Sequence, residues 1–271
     1  MKNRPFSNTK TLVLSFACMS TFSLVKAQRN ETDSTERSRQ KIQYYNNLDQ
    51  TVKKSFPYRS FVLPAFMIAY GITTLNSDGL TDINKKIKEE VWTESPHKRF
   101  HIDNYLQIAP AVAVYGLNIA GIKGKNNLRD RTMIYLISNV CLNATVFSLK
   151  NITNKTRPDG SGNESFPSGH TAEAFASAEF LRQEYKDVSP WYGVAGYATA
   201  AATGLLRIYN NKHWLSDVVA GAGIGIASTK LAYWLYPAIK RKFFKDKPMN
   251  TFVMPYYQSG TGGVSMVYNF H

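Results

Sequence analysis

The feature that most constrains this chain is the spacing of its charge-free apolar runs. Residues 60–77, 104–122, 132–149 and 188–206 contain no Asp, Glu, Lys or Arg. Each run is close to the shortest helix that crosses a bilayer. Polar side chains sit inside them, and Ser138, Asn139, Asn143 and Ser148 in the third suit a packed bundle as well as lipid. A fifth helix is expected from Ser168 to about Tyr185. It carries Glu173, Glu179 and Arg182, so it should not face lipid all round. A sixth, from about Trp214 to Tyr236, is interrupted by Lys230 and contains the small-residue stretch Ala220-Gly221-Ala222-Gly223-Ile224-Gly225, which permits close helix approach. The expected fold is all-α, a helical bundle of about six core helices. A short C-terminal β-hairpin is expected where Phe252-Val253-Met254 and Val264 to Tyr268 flank Gly260-Thr261-Gly262-Gly263.

Composition narrows the classes. The 271 residues are 44% hydrophobic and 19% charged, which excludes global disorder. The mean hydropathy of -0.29 argues against a chain made mostly of lipid-buried helices. Two cysteines exclude a disulfide-stapled mini-fold and a Cys-rich zinc module. Lys2, Arg4 and Lys10 precede an apolar stretch over 11–25, and Ala27 fits the last position before a cleavage point at Gln28. This is the pattern of a secretory signal, residues 1–27, with an uncleaved anchor as the alternative. Its removal takes Lys2, Arg4, Lys10 and Lys26 and no acid, lowering the net charge from +14 to +10, and leaves Cys141 without an intramolecular disulfide partner. Residues 28–56 then read as a polar arm, 57–240 as the helical domain and 241–271 as a tail with the hairpin. An exported basic chain without an RNP, zinc-finger or homeodomain pattern is not expected to bind nucleic acid. Its basic surface suits an anionic membrane surface or phosphorylated substrates.

Three segments carry chemistry together. Lys150 closes an apolar helix, and Arg157-Pro158 follows after a short loop. Ser168-Gly169-His170 opens a helix, where free backbone N–H groups favour an anion and a glycine lets it approach closely. Arg207 precedes His213 and Asp217, whose i, i+4 spacing would put them on one helix face, with the carboxylate fixing the imidazole tautomer. Each piece has an ordinary structural explanation: a C-terminal helix cap, a solvated loop charge, an N-cap and a His–Asp hydrogen bond. Combined, they supply three cations, a helix N-terminus, two histidines and an orienting carboxylate, which is the inventory of phosphoryl transfer.

The order Lys-x6-Arg-Pro, Pro-Ser-Gly-His, Arg-x5-His-x3-Asp resembles the type 2 phosphatidic acid phosphatase family, which also includes bacterial class A acid phosphatases and vanadium haloperoxidases. The resemblance covers roughly residues 100–236. It implies a helical bundle with the site at one end and a metal-independent phosphatase that needs no cofactor. It further implies that His213 is the nucleophile forming a phosphohistidine, Asp217 its orienting carboxylate and His170 the general acid. Lys150, Arg157, Ser168, Gly169 and Arg207 match the phosphate cradle. Leu206 stands where the family usually has Ser, which removes one hydroxyl contact. The expected function is an exported phosphatase of phosphate monoesters or diphosphates on a lipid, of the undecaprenyl diphosphate, lipid A or phosphatidate type. The alternatives are a soluble periplasmic acid phosphatase, a vanadate-dependent haloperoxidase and a non-catalytic membrane scaffold.

Topology brings a conflict. Lys123, Lys125, Arg129 and Arg131 make the loop after the second run basic, which favours the cytoplasmic side and puts Lys150 outside. With a cleaved signal and a true span at 60–77, parity would put the site inside instead. The expectation is a periplasm-facing site with marginal membrane embedding.

Overall fold

A computed structural model describes residues 56–243, together with the backbone of 251–258 and 261–268. The expected signal, and the polar arm apart from Phe56, lie outside the described residues. After a short 3-10 turn at Tyr58–Phe61, the helices are α1 (Val62–Thr74), α2 (Asp78–Lys88), α3 (Asp103–Leu106), α4 (Ala109–Ile119), α5 (Leu128–Thr153), α6 (Gly169–Tyr185), α7 (Pro190–Tyr209) and α8 (Leu215–Phe243). A π-helical turn, Glu89–Thr93, continues α2. The chain divides into two units, and the helical one, Thr51–Ile239, holds every candidate site residue. In the other unit, the backbones of β1 (Thr251–Gln258) and β2 (Thr261–Tyr268) run antiparallel with Thr251 opposite Tyr268.

The helices begin and end where local chemistry dictates. Asn127 caps α5 by accepting from the Asp130 N–H, and Ser189 caps α7 with Pro190 in the first helical position. Asn154 adopts the left-handed conformation (φ 43°) that ends α5, a geometry Asn tolerates better than most residues. The alanine-rich α6 is the central helix. Ala172, Ala174, Ala176, Ala178 and Phe180 are all fully buried. Two of its charges, Glu179 and Glu184, are buried as well: Glu179 accepts two bonds from the half-buried Arg182, at 2.7 and 2.6 Å, and one from the Tyr197 hydroxyl at 2.5 Å. Such neutralisation is what permits a carboxylate in a core.

Among the described residues, two helices are long and apolar enough to cross a membrane, α5 and α8, and they differ in placement. Only 22% of the apolar window of α5 is buried, against 61% for α8. The outward face of α5 carries Leu136, Val140 and Phe147, more than half exposed. Large apolar side chains at helical spacing on an exterior mark a surface for contact with a membrane or another protein. The run at 60–77, left open by the topology conflict, is not one straight helix. Its helix α1 has 13 residues, about 20 Å. The chain then bends by 92° between Tyr58–Thr74 and Asp78–Thr93, so this run reaches spanning length only as part of a bent pair. The run at 104–122 breaks before Ala109 and yields an 11-residue α4. Arg131, counted among the loop cations, is 1% exposed and bonded to the Asn126 carbonyl beside Glu184, so it offers no charge to a lipid surface.

The small-residue stretch of α8 is a packing surface. A Cβ on Gly221 would lie 2.5 Å from the Ser168 carbonyl oxygen, and one on Gly225 would lie 2.1 Å from that of Ala172. The backbones of α6 and α8 therefore touch along this seam, and it fixes where His170 lies relative to the start of α8. Gly225→Leu should destabilise the protein by at least ~1–3 kcal/mol, read as a fall in unfolding temperature in detergent. Gly116→Ala, where nothing lies within 4 Å, should instead be neutral or stabilising by about 0.5–1 kcal/mol.

Candidate active site

The three motif segments meet where the end of α5, the start of α6 and the α7–α8 junction converge. The left-handed Asn154 turns the chain out of α5 so that Lys155 enters the site, and a second left-handed residue, Asn211 (φ 56°), turns the chain between α7 and His213. Ser168 N-caps α6, with its hydroxyl 2.8 Å from that of Thr171, and its own N–H donates to the backbone carbonyl of Asp217 at 3.0 Å. That bond ties the first turn of α6 to the first turn of α8.

Asp217 is fully buried. Lys155 Nζ donates to its Oδ1 at 3.1 Å, while the Ser165 hydroxyl (2.5 Å) and the Trp214 N–H (3.0 Å) donate to its Oδ2. The Trp214 bond is half of a capping box, in which an acidic side chain in the first helical turn satisfies an N–H at the helix start. This corrects the expectation that His213 and Asp217 share a helix face. His213 precedes α8, which begins at Leu215. Its Nδ1 lies 2.8 Å from the Ser165 carbonyl oxygen and 3.7 Å from Asp217 Oδ2. The carbonyl accepts the Nδ1 hydrogen, so Nε2 carries the free lone pair. Asp217 supports the imidazole by charge and by holding Ser165 and Trp214 in place. His213 is 3% exposed, and this burial pushes its pKa below the ordinary histidine value against the pull of Asp217.

His170, in the first turn of α6, is half-buried, with Nε2 2.9 Å from Asn104 Oδ1. Burial, followed by the charge of Arg207, lowers its pKa to about 4. Arg207 is 7% exposed and donates from Nη1 to Asp103 Oδ2 at 2.5 Å. Lys150, in the last turn of α5, donates to the Glu164 carbonyl. Arg157 and Arg207 share an unusual property. Each has its Nε buried without a hydrogen-bond partner among the described residues. Buried donors are almost always satisfied, and an orphan on a charged group costs about 1–3 kcal/mol or more. Gly169 shows a complementary feature: a Cβ there would meet nothing nearer than Val146 Cγ1 at 3.8 Å, so protein packing does not demand glycine.

Several participants escape motif reading. Lys155 lies within the spacer of the first motif, and Ser165 before the second. Asp103 and Asn104 come from α3, and Asn84 of α2 exchanges bonds with Ser216 at 2.9 and 3.2 Å. The mixed, patternless composition of 94–104 hides Asp103 and Asn104. Only the tertiary pairing with Arg207 and His170 distinguishes them.

Orphaned guanidinium nitrogens around a neutral imidazole form a site that a tetrahedral oxyanion would complete. Inorganic phosphate should therefore raise the unfolding temperature, by the equivalent of roughly 2.7 kcal/mol at about one hundred times its Kd, and Arg207→Gln should abolish the effect.

A family model described as the PAP2 superfamily matches residues 131–241. Lipid A 1-phosphatase of Porphyromonas gingivalis is 35% identical over 196 residues, which is 72% of this chain and 42% of that protein. The chain thus spans less than half the length of this curated relative. Among solved structures, Aquifex aeolicus LpxE aligns with a TM-score of 0.42 at 21% identity, over 56% of this chain and 94% of that one. The first transmembrane PAP2-type phosphatidylglycerolphosphate phosphatase from Bacillus subtilis aligns with a TM-score of 0.47 at 18% identity, over 70% and 100%. All eight motif residues fall inside residues 131–241, the segment of this chain that is similar to the PAP2 superfamily.

Proposed function

We propose that this protein is a metal-independent lipid phosphatase that works through a phosphohistidine on His213. The observation that carries the reading is the pair of orphaned buried nitrogens on Arg157 and Arg207 beside an imidazole whose Nε2 is free. A substrate phosphate supplies the acceptors those nitrogens lack. Lys150 and the N–H groups at the start of α6 complete the cradle, and the space left by Gly169 admits an oxygen close to the backbone.

His213 Nε2 attacks phosphorus in line, and the bond from phosphorus to the lipid oxygen breaks. His170 gives its proton to the departing oxygen. Water then attacks the phosphohistidine, His170 takes a proton from it, and phosphate leaves with the imidazole restored. In the empty site His170 is neutral at pH 7. A bound phosphate places negative charge beside it, which favours the imidazolium and supplies the acid when it is needed. Asp217 stabilises the charge that develops on His213 during attack.

A lipid is the favoured substrate class for two reasons. The outward face of α5 is apolar, and an apolar groove of about 710 Å³ borders the site. Ile102, Leu206 and Leu215 line this groove, neighbours in the chain of Asp103, Arg207 and Ser216. Leu206, where the family usually has Ser, thus belongs to an acyl-binding surface. The similarity to a lipid A 1-phosphatase makes a lipid A-type phosphate the leading candidate. Residues 1–27 act as an export signal, 57–240 form the phosphatase domain, and the site faces the periplasm at a membrane surface.

His213→Ala should abolish phosphate release while leaving a folded protein. His170→Ala should lose roughly 10²–10⁴-fold, and less with an activated leaving group such as p-nitrophenolate. Residual turnover in His213→Ala comparable to wild type refutes the mechanism. A chelator should leave the rate unchanged, and long-chain lipid substrates should require detergent or vesicles. The depressed pKa of His213 keeps the nucleophile neutral as pH falls through 6.5. The acid limb of kcat/KM should therefore lie below the ordinary histidine value, and a limb centred at or above it counts against the assignment.

A further inference from the structure

A second cationic site adjoins the first. A cavity of about 580 Å³ is lined by Lys88, Trp92, His97, Arg99, Asp159 and Asn211, among others. Its walls neighbour the catalytic segments in the chain: Asp159 follows Arg157-Pro158, and Asn211 lies two residues before His213. The wall opposite them is held firmly. His97 stacks on Tyr209 at 3.6 Å, with Nε2 2.8 Å from the Tyr209 carbonyl oxygen and Nδ1 2.7 Å from that of Ser95. Trp92 meets the His97 ring edge-on at 5.0 Å, and the Arg99 guanidinium lies 5.5 Å above the Trp92 ring.

The charge balance of this cavity is uneven. Arg99 (3.0 Å) and Lys212 (2.6 Å) both pair with Asp159. Lys88 donates to the Pro158 carbonyl at 2.8 Å and lies 5.7 Å from the Trp214 ring. The cavity is thus lined by two cations, Lys88 and Arg99, against one carboxylate, Asp159, which the adjacent Lys212 also neutralises. None of these groups takes part in the mechanism above. The cavity is also far larger than a single phosphate needs, and its Trp92 offers an apolar ring beside the charges.

We propose that this cavity is a second anion subsite. It receives a further negatively charged group of the same lipid headgroup while the scissile phosphate lies at His213. The inference rests on the lipid-phosphatase reading of the site and narrows its substrate class. The protein prefers lipids whose headgroup carries two anionic groups, joined through a ring or spacer, over lipids that carry one.

The test uses the full chain in neutral-detergent micelles and two synthetic glycolipids with identical acyl chains, one bearing a single phosphate and one bearing two. Wild type should favour the bis-phosphorylated lipid in kcat/KM by about tenfold or more, the scale of one or two charge-assisted hydrogen bonds. In Lys88→Gln/Arg99→Gln the ratio should fall to near one, with the unfolding temperature confirming an intact fold. Equal use of both lipids by wild type, or a ratio that survives the double substitution, overturns the proposal. Equilibrium binding of the same lipids to His213→Ala separates the two readings. If neither lipid is hydrolysed by wild type yet binding keeps the bis-phosphate preference and loses it in the double variant, catalysis fails and the subsite stands. If binding shows no preference, the subsite fails whatever the turnover. Millimolar inorganic phosphate and an anionic carrier lipid are the remaining arms. Selective loss of the preference with either one supports a subsite open to untethered anions, and persistence of the preference supports the tethered group.

Discussion

The buried carboxylate of Asp217 is the point on which the catalytic end of the bundle depends. It accepts from Lys155 in the loop after α5, from Ser165 in the loop before α6 and from the Trp214 N–H at the start of α8. The backbone carbonyl of the same residue accepts from Ser168, the cap of α6. The loop between α5 and α6 is thereby anchored at three points, Lys155, Ser165 and Ser168, to the first turn of α8. An ionised group in a dry interior persists only when its acceptor sites are filled, so the network holds together as a set. Ser165 links it to the chemistry, because its hydroxyl serves Asp217 while its carbonyl orients His213.

Against this well-satisfied cluster, the orphaned nitrogens of Arg157 and Arg207 stand out. A third buried orphan, Arg131 Nη1, lies near the opposite end of α5, 19 residues before Lys150 in the chain, roughly 28 Å along the helix. At the site, cations are held close together with too few acceptors, an arrangement that stores unfavourable charge until an anion arrives. The burial of the histidines follows the same logic. Desolvation keeps both imidazoles neutral in the empty site, one as a base with a free lone pair and the other awaiting the charge that a phosphate brings. Differences of environment thus divide two identical side chains into two roles.

The seam between α6 and α8 explains how such a site is held on helices that also present apolar surface outward. Glycines at 221 and 225 bring the two backbones into contact, which leaves little freedom for His170 to move relative to the start of α8. Close packing of small residues does this without relying on a hydrophobic driving force that weakens at a lipid boundary. The same economy places Glu179 inside the bundle, where Arg182 and Tyr197 neutralise and bind it, and leaves α5 to carry the exposed apolar face.

The residue pattern by itself determined the helical character, the cap that opens α6 and the packing role of the α8 glycines, because each of these depends on chain-local chemistry or on spacing along one element. It did not determine which partner each charge finds. The i, i+4 spacing of His213 and Asp217 suggested a direct hydrogen bond, but α8 begins two residues after His213, and a carbonyl from a different loop takes the Nδ1 hydrogen. The apolar run at 60–77 had about the minimum length to span, and the bend at its end was not legible, since a hydropathy pattern fixes no direction in space. Asp103, Asn104 and Asn84 sit in segments with no distinguishing pattern and gain meaning only from the side chains opposite them. Folding decided these points because hydrogen bonds and desolvation act over a few ångströms in three dimensions, and the sequence records separation only along the chain.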